Sequence, residues 1–168
     1  TTVLRTVGYL LLWPGMDAKA FLDLEAKSRQ PRAAEWIAAF LKTGFGVVLI
    51  WGLARRLPPE QPLLIGAVGT IGFIFLFLLG GFHLVALLWG RAGVNAQHIM
   101  HQPALATSLG EFWGSRWNLA CHQLSHDLVF RPGLRRFGHA KAAVLASFLV
   151  SGLLHELVVS FSVKGGYG

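Results

Sequence analysis

The sequence predicts an all-α fold: a multi-pass transmembrane helical bundle with one amphipathic cytoplasmic or interfacial helix. Three observations predict it. Apolar residues make up 54% of the chain and charged residues only 14%, against about 25% charged in a water-soluble domain, and the mean hydropathy is +0.53. Long apolar runs recur, and at about 1.5 Å per helical residue they reach across a hydrocarbon core of about 30 Å. Finally, the Lys and Arg residues sit in short stretches between those runs. There they set topology and meet anionic headgroups, so the formal charge of +7 points to membrane lipids as partners and not to nucleic acid. The single cysteine, Cys121, excludes an internal disulfide and a multi-cysteine metal site. Residues 1–168 read as one membrane domain, without internal repeat or low-complexity segment. The chain opens on Thr1 with no signal-peptide pattern. A preceding segment is expected, and targeting is expected to come from the spans themselves.

Val7–Trp13 is apolar but too short to span, and Pro14-Gly15 is expected to stop it. Met16–Glu35 is a polar connector in which Ala18–Ala26 suits a short surface helix. Trp36–Leu53 is the first span. It carries Lys42, expected to snorkel towards one interface. Arg55, Arg56, Pro58 and Pro59 end it in a tight basic turn. Pro62–Trp89 runs for 28 residues without Lys, Arg, Asp or Glu. It is one long tilted span, or a span plus an interfacial turn broken at Gly80-Gly81. His83 near its end reads as a packed or interfacial histidine. Gly90–Lys141 is a long connector. With Met16–Glu35 it carries ten Lys and Arg residues against two in the opposite turn, which places both connectors in the cytoplasm. Ala142–Val163 is the last span, 22 residues long or roughly 33 Å. His155 and Glu156 lie deep inside it, where a charged group at the centre costs about 2.5–3.5 kcal/mol. Ser147, Ser151 and His155 fall four apart on one polar stripe beside Gly152, which suits a protein interior or a wet cavity. A purely structural histidine, bonded to a neighbouring helix, is the alternative.

Within the long connector, Ser108-Leu109-Gly110-Glu111 is a capping box: the serine accepts from the Glu111 backbone N–H and the glutamate reaches back. A helix is expected from Leu109 to about Leu128. At 100° per residue, Trp113, Trp117, Ala120, Leu124 and Leu128 share an apolar side. Ser115, Asn118, His122, Ser125 and His126 share a second face of neutral hydrogen-bonding groups, and Arg116, Gln123 and Asp127 a third. A helix lying on the headgroups explains the tryptophans. The Asn/His/Ser face suits a pocket better than solvent. His122 and His126 have the i, i+4 spacing of metal ligands, and His98 and His101 lie nearby, but no HExxH and no carboxylate pair accompanies them, so no metal is expected.

Glu111-Phe112-Trp113-Gly114-Ser115-Arg116-Trp117-Asn118 resembles the aromatic-rich motif ending in Trp-Asn of the membrane-bound O-acyltransferase superfamily, and is most similar in form to that of the plant-type wax synthases. Ser151-Gly152-Leu153-Leu154-His155-Glu156-Leu157 resembles the second family motif, small and apolar residues leading into His-Glu. The two lie in the family's order, with Asn118 and His155 separated by 37 residues. The resemblance covers about residues 103–163; the first hundred residues are similar only in being membrane spans. Family members have more spans than the three read here, so the chain is expected to be the C-terminal part of a larger acyltransferase.

The resemblance implies acyl-CoA as co-substrate, with no other cofactor, and a lipid hydroxyl as acceptor, a long-chain alcohol being favoured by the wax synthase-like motif. It implies catalytic roles for His155 and Asn118. Such acyl transfer needs a base for the hydroxyl proton, donors for the oxyanion and exclusion of water. An imidazole in apolar surroundings is held neutral, because low dielectric disfavours its charged form, so His155 can be that base. No GxSxG elbow is present, which favours direct attack by the alcohol. Asn118 would donate to the thioester oxygen or orient the donor, and Arg116 would meet the CoA phosphates from the cytoplasm. Trp113, Trp117, Ser151 and His122 complete the expected substrate-binding set. The alternative from another class is a helical membrane scaffold or lipid-binding protein without chemistry.

Overall fold

Helices account for all regular secondary structure among the described residues of the computed structural model, namely the backbone of residues 2–13, 16–25 and 28–163, with side chains described to Leu157. The chain divides into two compact units, Thr1–Ala120 and Cys121–Gly168.

In the first unit, α1 (Thr2–Leu12) ends just before Trp13; the Pro14-Gly15 stop lies outside the described residues. The short helix α2 (Ala18–Leu22) follows, and Asp17 starts it by accepting from the backbone N–H of Lys19 (2.9 Å) and Ala20 (3.2 Å). The expected surface helix over Ala18–Ala26 is shorter than predicted and is not wholly superficial, because Phe21 is buried. Its ring meets Trp89 edge-on at 5.2 Å, while Trp13 packs on Phe82. Val94, Ile99 and Ala120 join Trp13, Met16 and Phe21 in one apolar cluster. That cluster fastens the segment after the second span to the start of the chain.

Two long helices form the rest of this unit. α3 (Ala33–Arg56) and α4 (Pro62–Arg91) are both long and apolar enough to cross a membrane. Each contains a widened π-helical stretch, Val48–Leu53 and Ile74–Gly81. The Gly80-Gly81 pair therefore leaves α4 continuous, since the wider turn absorbs the irregularity that the sequence allowed as a break. Where α3 crosses α4, a Cβ on Gly46 would fall on the Leu76 backbone, and one on Gly80 would fall on Thr43. Small residues at these points let the two backbones approach. Phe45 and Phe75 pack edge-on at 4.8 Å beside the crossing. Lys42 points into the helix pair, its Nζ 3.4 Å from His83 Nδ1, and His83 meets His98 edge-on at 4.8 Å. The outward faces, with Phe40, Leu41, Leu63 and Ile71 exposed, present the apolar surface that lipid tails accept.

The helix predicted from Leu109 to Leu128 is not continuous. α5 (residues 109–116) consists of one α-turn and one π-helical turn, Phe112–Arg116. Trp117 is then extended, and Asn118 adopts a left-handed conformation at φ 42°. α6 (residues 119–137) starts afresh and runs past Leu128 to Phe137. The faces assigned from a single helical wheel therefore do not persist across Trp117-Asn118.

The second unit holds most of α6 and α7 (Ala140–Val163), the third helix long and apolar enough to span. Gly138 at φ 70° closes α6 through its N–H to the Leu134 carbonyl (2.9 Å), the left-handed cap that glycine supplies without steric cost. α7 then folds back, and the fully buried Ala143 packs on Gly133.

Candidate active site

The first cluster of motif residues is built on α5. Ser108 caps it, its Oγ accepting from the Glu111 N–H at 3.1 Å. The reciprocal reach of Glu111 goes one residue further back than the capping box predicts. Its Oε2 accepts from the Thr107 backbone N–H (2.8 Å) and the Thr107 hydroxyl (2.7 Å). Its Oε1 accepts from Arg116 Nε and Nη2, both at 2.6 Å. These donors, Thr107 foremost, stabilise the charged form and hold the Glu111 carboxyl at about 2.

Glu111 and Arg116 are five residues apart, as are Phe112 and Trp117. In an α-helix such pairs point about 140° apart. The π-helical turn, closed by the Trp117 N–H to the Phe112 carbonyl (2.8 Å), puts both pairs in register. The guanidinium meets the carboxylate, and the Phe112 and Trp117 rings stack at 5.3 Å and 17°. Trp113, 45% exposed, stands edge-on to both. This i, i+5 regularity is the signal that a 3.6-residue wheel misses.

Asn118 follows directly. The segment before α5 braces it: the His101 N–H donates to the Arg116 carbonyl (2.8 Å), the Leu119 N–H to the Ile99 carbonyl (2.9 Å), and the Asn118 N–H to Met100 Sδ (3.1 Å). Ile99 itself is buried in the apolar cluster. His98, one residue earlier, is half-buried, and that burial pushes its imidazole below the ordinary value, with His101 adding to the effect. A cleft lined in part by Ser28, Arg29, Glu35, Asn95 and His98 lies in the same unit, and no motif residue lines it.

The second cluster lies on α7. Ala143, Ser147, Ser151 and His155 follow one another at four-residue intervals, buried at Ala143, half-buried at the serines and exposed at His155. Ser147 Oγ donates back to the Ala143 carbonyl (3.0 Å). His155 Nδ1 lies 2.8 Å from the Ser151 carbonyl. A carbonyl only accepts, so Nδ1 carries the hydrogen, and in the neutral ring the lone pair is on Nε2. Ser151 thus meets His155 through its backbone. His122 is exposed on α6, its ring stacked on His126, which in turn meets Asp127 at 3.3 Å. Among the described residues no three His, Cys, Asp or Glu side chains group to hold a metal ion.

The structure therefore assembles the predicted residues as two sets. Trp113, Arg116, Trp117 and Asn118 belong to the first unit, supported by Glu111, which the sequence identified as a capping partner, and by Thr107 and Met100, which it did not single out. His122, Ser151 and His155 belong to the second. Arg116, expected to face phosphates, has all three guanidinium nitrogens on protein oxygens, since Nη1 also donates to the carbonyls of Gln102 (3.3 Å) and His101 (3.4 Å).

Residues 96–166 match the model of the membrane bound O-acyl transferase family. The chain is similar to probable long-chain-alcohol O-fatty-acyltransferase 3 of Arabidopsis thaliana, 39% identical over 77% of this chain and 39% of the relative. It is similar to acyl-CoA–sterol O-acyltransferase 1 of the same plant, 42% identical over 70% of this chain and 36% of the relative. With probable long-chain-alcohol O-fatty-acyltransferase 1 it shares 39% identity over 43% of this chain and 23% of the relative. The chain thus spans between 23% and 39% of the length of these relatives. No solved structure matches it. The matched segment contains both residue clusters, and over it the chain is similar to the membrane bound O-acyl transferase family, with relatives named as long-chain-alcohol O-fatty-acyltransferases.

Proposed function

We propose that this chain carries the catalytic part of an acyltransferase that moves a fatty acyl group from acyl-CoA to the hydroxyl of a lipid, a long-chain alcohol before others. The observation that carries the reading is the state of His155. Its Nδ1–H is engaged by the Ser151 carbonyl, which orients the ring and leaves Nε2 as the basic nitrogen. In the reaction Nε2 takes the hydroxyl proton as the alcohol oxygen bonds to the thioester carbonyl carbon. The carbon–sulfur bond then breaks, and the imidazolium returns the proton to the departing thiolate. Asn118 donates to the carbonyl oxygen as it becomes negative. Trp113 and Trp117 offer aromatic surface to the acyl chain, and His122 and Ser151 border the acceptor.

The connector over residues 90–141 faces the cytoplasm in this reading, where acyl-CoA is found. Ten basic residues in the two connectors on that side against two in the opposite turn support it. The likeness to a relative named as a sterol O-acyltransferase makes a sterol the second acceptor to try.

The test is to incubate membranes containing the full-length protein with labelled acyl-CoA and a panel of long-chain alcohols, sterols and diacylglycerol, then to separate the lipids. The expected product is a wax ester. His155→Ala should lower its formation by about 10²–10⁴-fold, the usual share of general-base catalysis, with acyl-CoA binding and membrane insertion retained. An inserted, folded His155→Ala protein of full activity would show that the histidine is structural. Failure of the wild type with every acceptor would favour a non-catalytic lipid-binding scaffold.

A further inference from the structure

We propose that Glu111 and Arg116 form a positioning pair for Asn118, fixing the loop that presents it, and that Arg116 is not the contact for the phosphates of the acyl donor. The proposal rests on the reading of Asn118 as a participant in acyl transfer.

Asn118 sits in a left-handed conformation directly after an extended Trp117. Such a turn persists only where its surroundings over-determine it. Two braces do so here. One is the pairing of residues 99–101 with 116–119, through His101 to the Arg116 carbonyl and Leu119 to the Ile99 carbonyl. The other is the Arg116 side chain, which joins the two sides of that pairing. Nε and Nη2 hold Glu111 on α5, while Nη1 reaches back to the carbonyls of His101 and Gln102. Gln102 is itself left-handed at φ 46°, so the guanidinium bridges two irregular turns.

The carboxylate is as fully engaged as the guanidinium. Glu111 takes two donors from Thr107 on Oε2 and two from Arg116 on Oε1. Its carboxyl, held at about 2, remains charged throughout the physiological range. The Arg116 side chain is only 25% exposed. A phosphate could claim it only by displacing partners that hold the loop. The π-helical turn has a purpose in this scheme, because it alone brings residues five apart into contact.

A positioning role and a phosphate role predict different kinetics. The experiment uses the full-length protein in membranes, with palmitoyl-CoA and hexadecanol, and compares Arg116→Lys, Arg116→Gln and Glu111→Gln. A lysine keeps the charge and still serves a phosphate, but lacks the planar fork that spans Glu111 and two carbonyls. All three variants should lose about tenfold or more in kcat, with KM for palmitoyl-CoA within about twofold, because the ground-state contact with the donor is unchanged. In an Asn118→Ala background Arg116→Gln should add less than about twofold, since residues acting as one unit are not additive. Hydrogen exchange should quicken at residues 99–102 and 116–119 in the variants and stay unchanged in α3 and α4. That exchange readout does not depend on acyl transfer, so an inactive wild type would refute the proposed function while the brace is still read directly. A KM increase at normal kcat, restored by Arg116→Lys, would overturn the proposal, as would unchanged exchange. If the charge variants fail to insert, Thr107→Val removes one donor to Glu111, and unaltered turnover and exchange there would also overturn it.

Discussion

Asn118 has two reasons to be asparagine, and substitution separates them. The backbone at φ 42° favours Asn over most residues, and the carboxamide offers a donor for a developing oxyanion. Alanine in this conformation costs about 1–2 kcal/mol relative to glycine, because its Cβ crowds the following carbonyl and it lacks the short polar side chain whose local hydrogen bonds offset that crowding in Asn and Asp. That is about 5–30-fold in the folded population, opposed by the short pairing of Leu119 with Ile99 and of His101 with Arg116, by the Asn118 N–H to Met100 Sδ and by the Arg116 side chain. Glycine adopts the same backbone without that cost, and aspartate tolerates it while lacking the N–H donor. Loss of an oxyanion donor, by contrast, lowers kcat by about 10²–10³, equivalent to about 2.7–4 kcal/mol of barrier. Thermal unfolding and wax-ester formation should therefore rank the variants differently. Stability should follow Asn ≈ Asp ≈ Gly above Ala, whereas turnover should collapse in Gly, Ala and Asp alike. An Asn118→Gly protein of near-native activity would refute the chemical role and leave Asn118 as a backbone device.

Three further outcomes are expected. With Cys121 replaced and reporter cysteines placed singly, an impermeant thiol reagent applied outside intact cells should label position 60 and miss position 135; the reverse pattern would invert the topology. Ser108→Ala removes the acceptor for the Glu111 N–H and should cost about 0.5–2 kcal/mol of local stability, seen as faster exchange over residues 109–115, with no change meaning that the cap is idle. The Glu111 carboxyl is depressed relative to an unfolded chain, so its contribution is complete above the ordinary carboxylate range and disappears as pH falls through about 2. Any loss of activity between pH 7 and pH 5 should thus survive in Glu111→Gln; its disappearance there would show that this carboxylate titrates higher.

The spans were the most legible part of the sequence. Predominant apolarity over Pro62–Trp89 and Ala142–Val163 leaves a helix little choice in lipid, and each helix extends two residues beyond those limits. The Ser108 cap was legible for a similar reason, since capping is local chemistry. The motif helix was not. A wheel at 100° per residue assumes α-geometry throughout, and the i, i+5 pairing of Glu111 with Arg116 breaks that assumption inside the motif. Lys42 was expected to snorkel, yet it meets His83 within the helix pair. Hydropathy registers that lysine but not its partner, which lies 41 residues away in sequence. His155 lies in helical register with Ser147 and Ser151 as expected, but exposed and not in an interior or cavity, and the bond that orients its ring runs to a backbone carbonyl, which composition cannot reveal.

The aromatic-rich motif is a mechanical unit as well as a set of candidate contact residues. Glu111 and Phe112 each reach five residues forward, to Arg116 and Trp117, so the turn is secured by one ion pair and one ring stack. Closing that turn directs the chain into the extended Trp117, and only a residue able to take a left-handed backbone can then start α6. The asparagine is thereby placed at a helix junction braced by residues 99–102. His155 has the complementary arrangement, a long regular helix in which one backbone carbonyl fixes the ring. In the proposed reaction the base is held by regular structure and the oxyanion donor by a deliberate irregularity. Substitutions around Asn118 should accordingly act on kcat through geometry, and those along the α7 stripe through the orientation of a single ring.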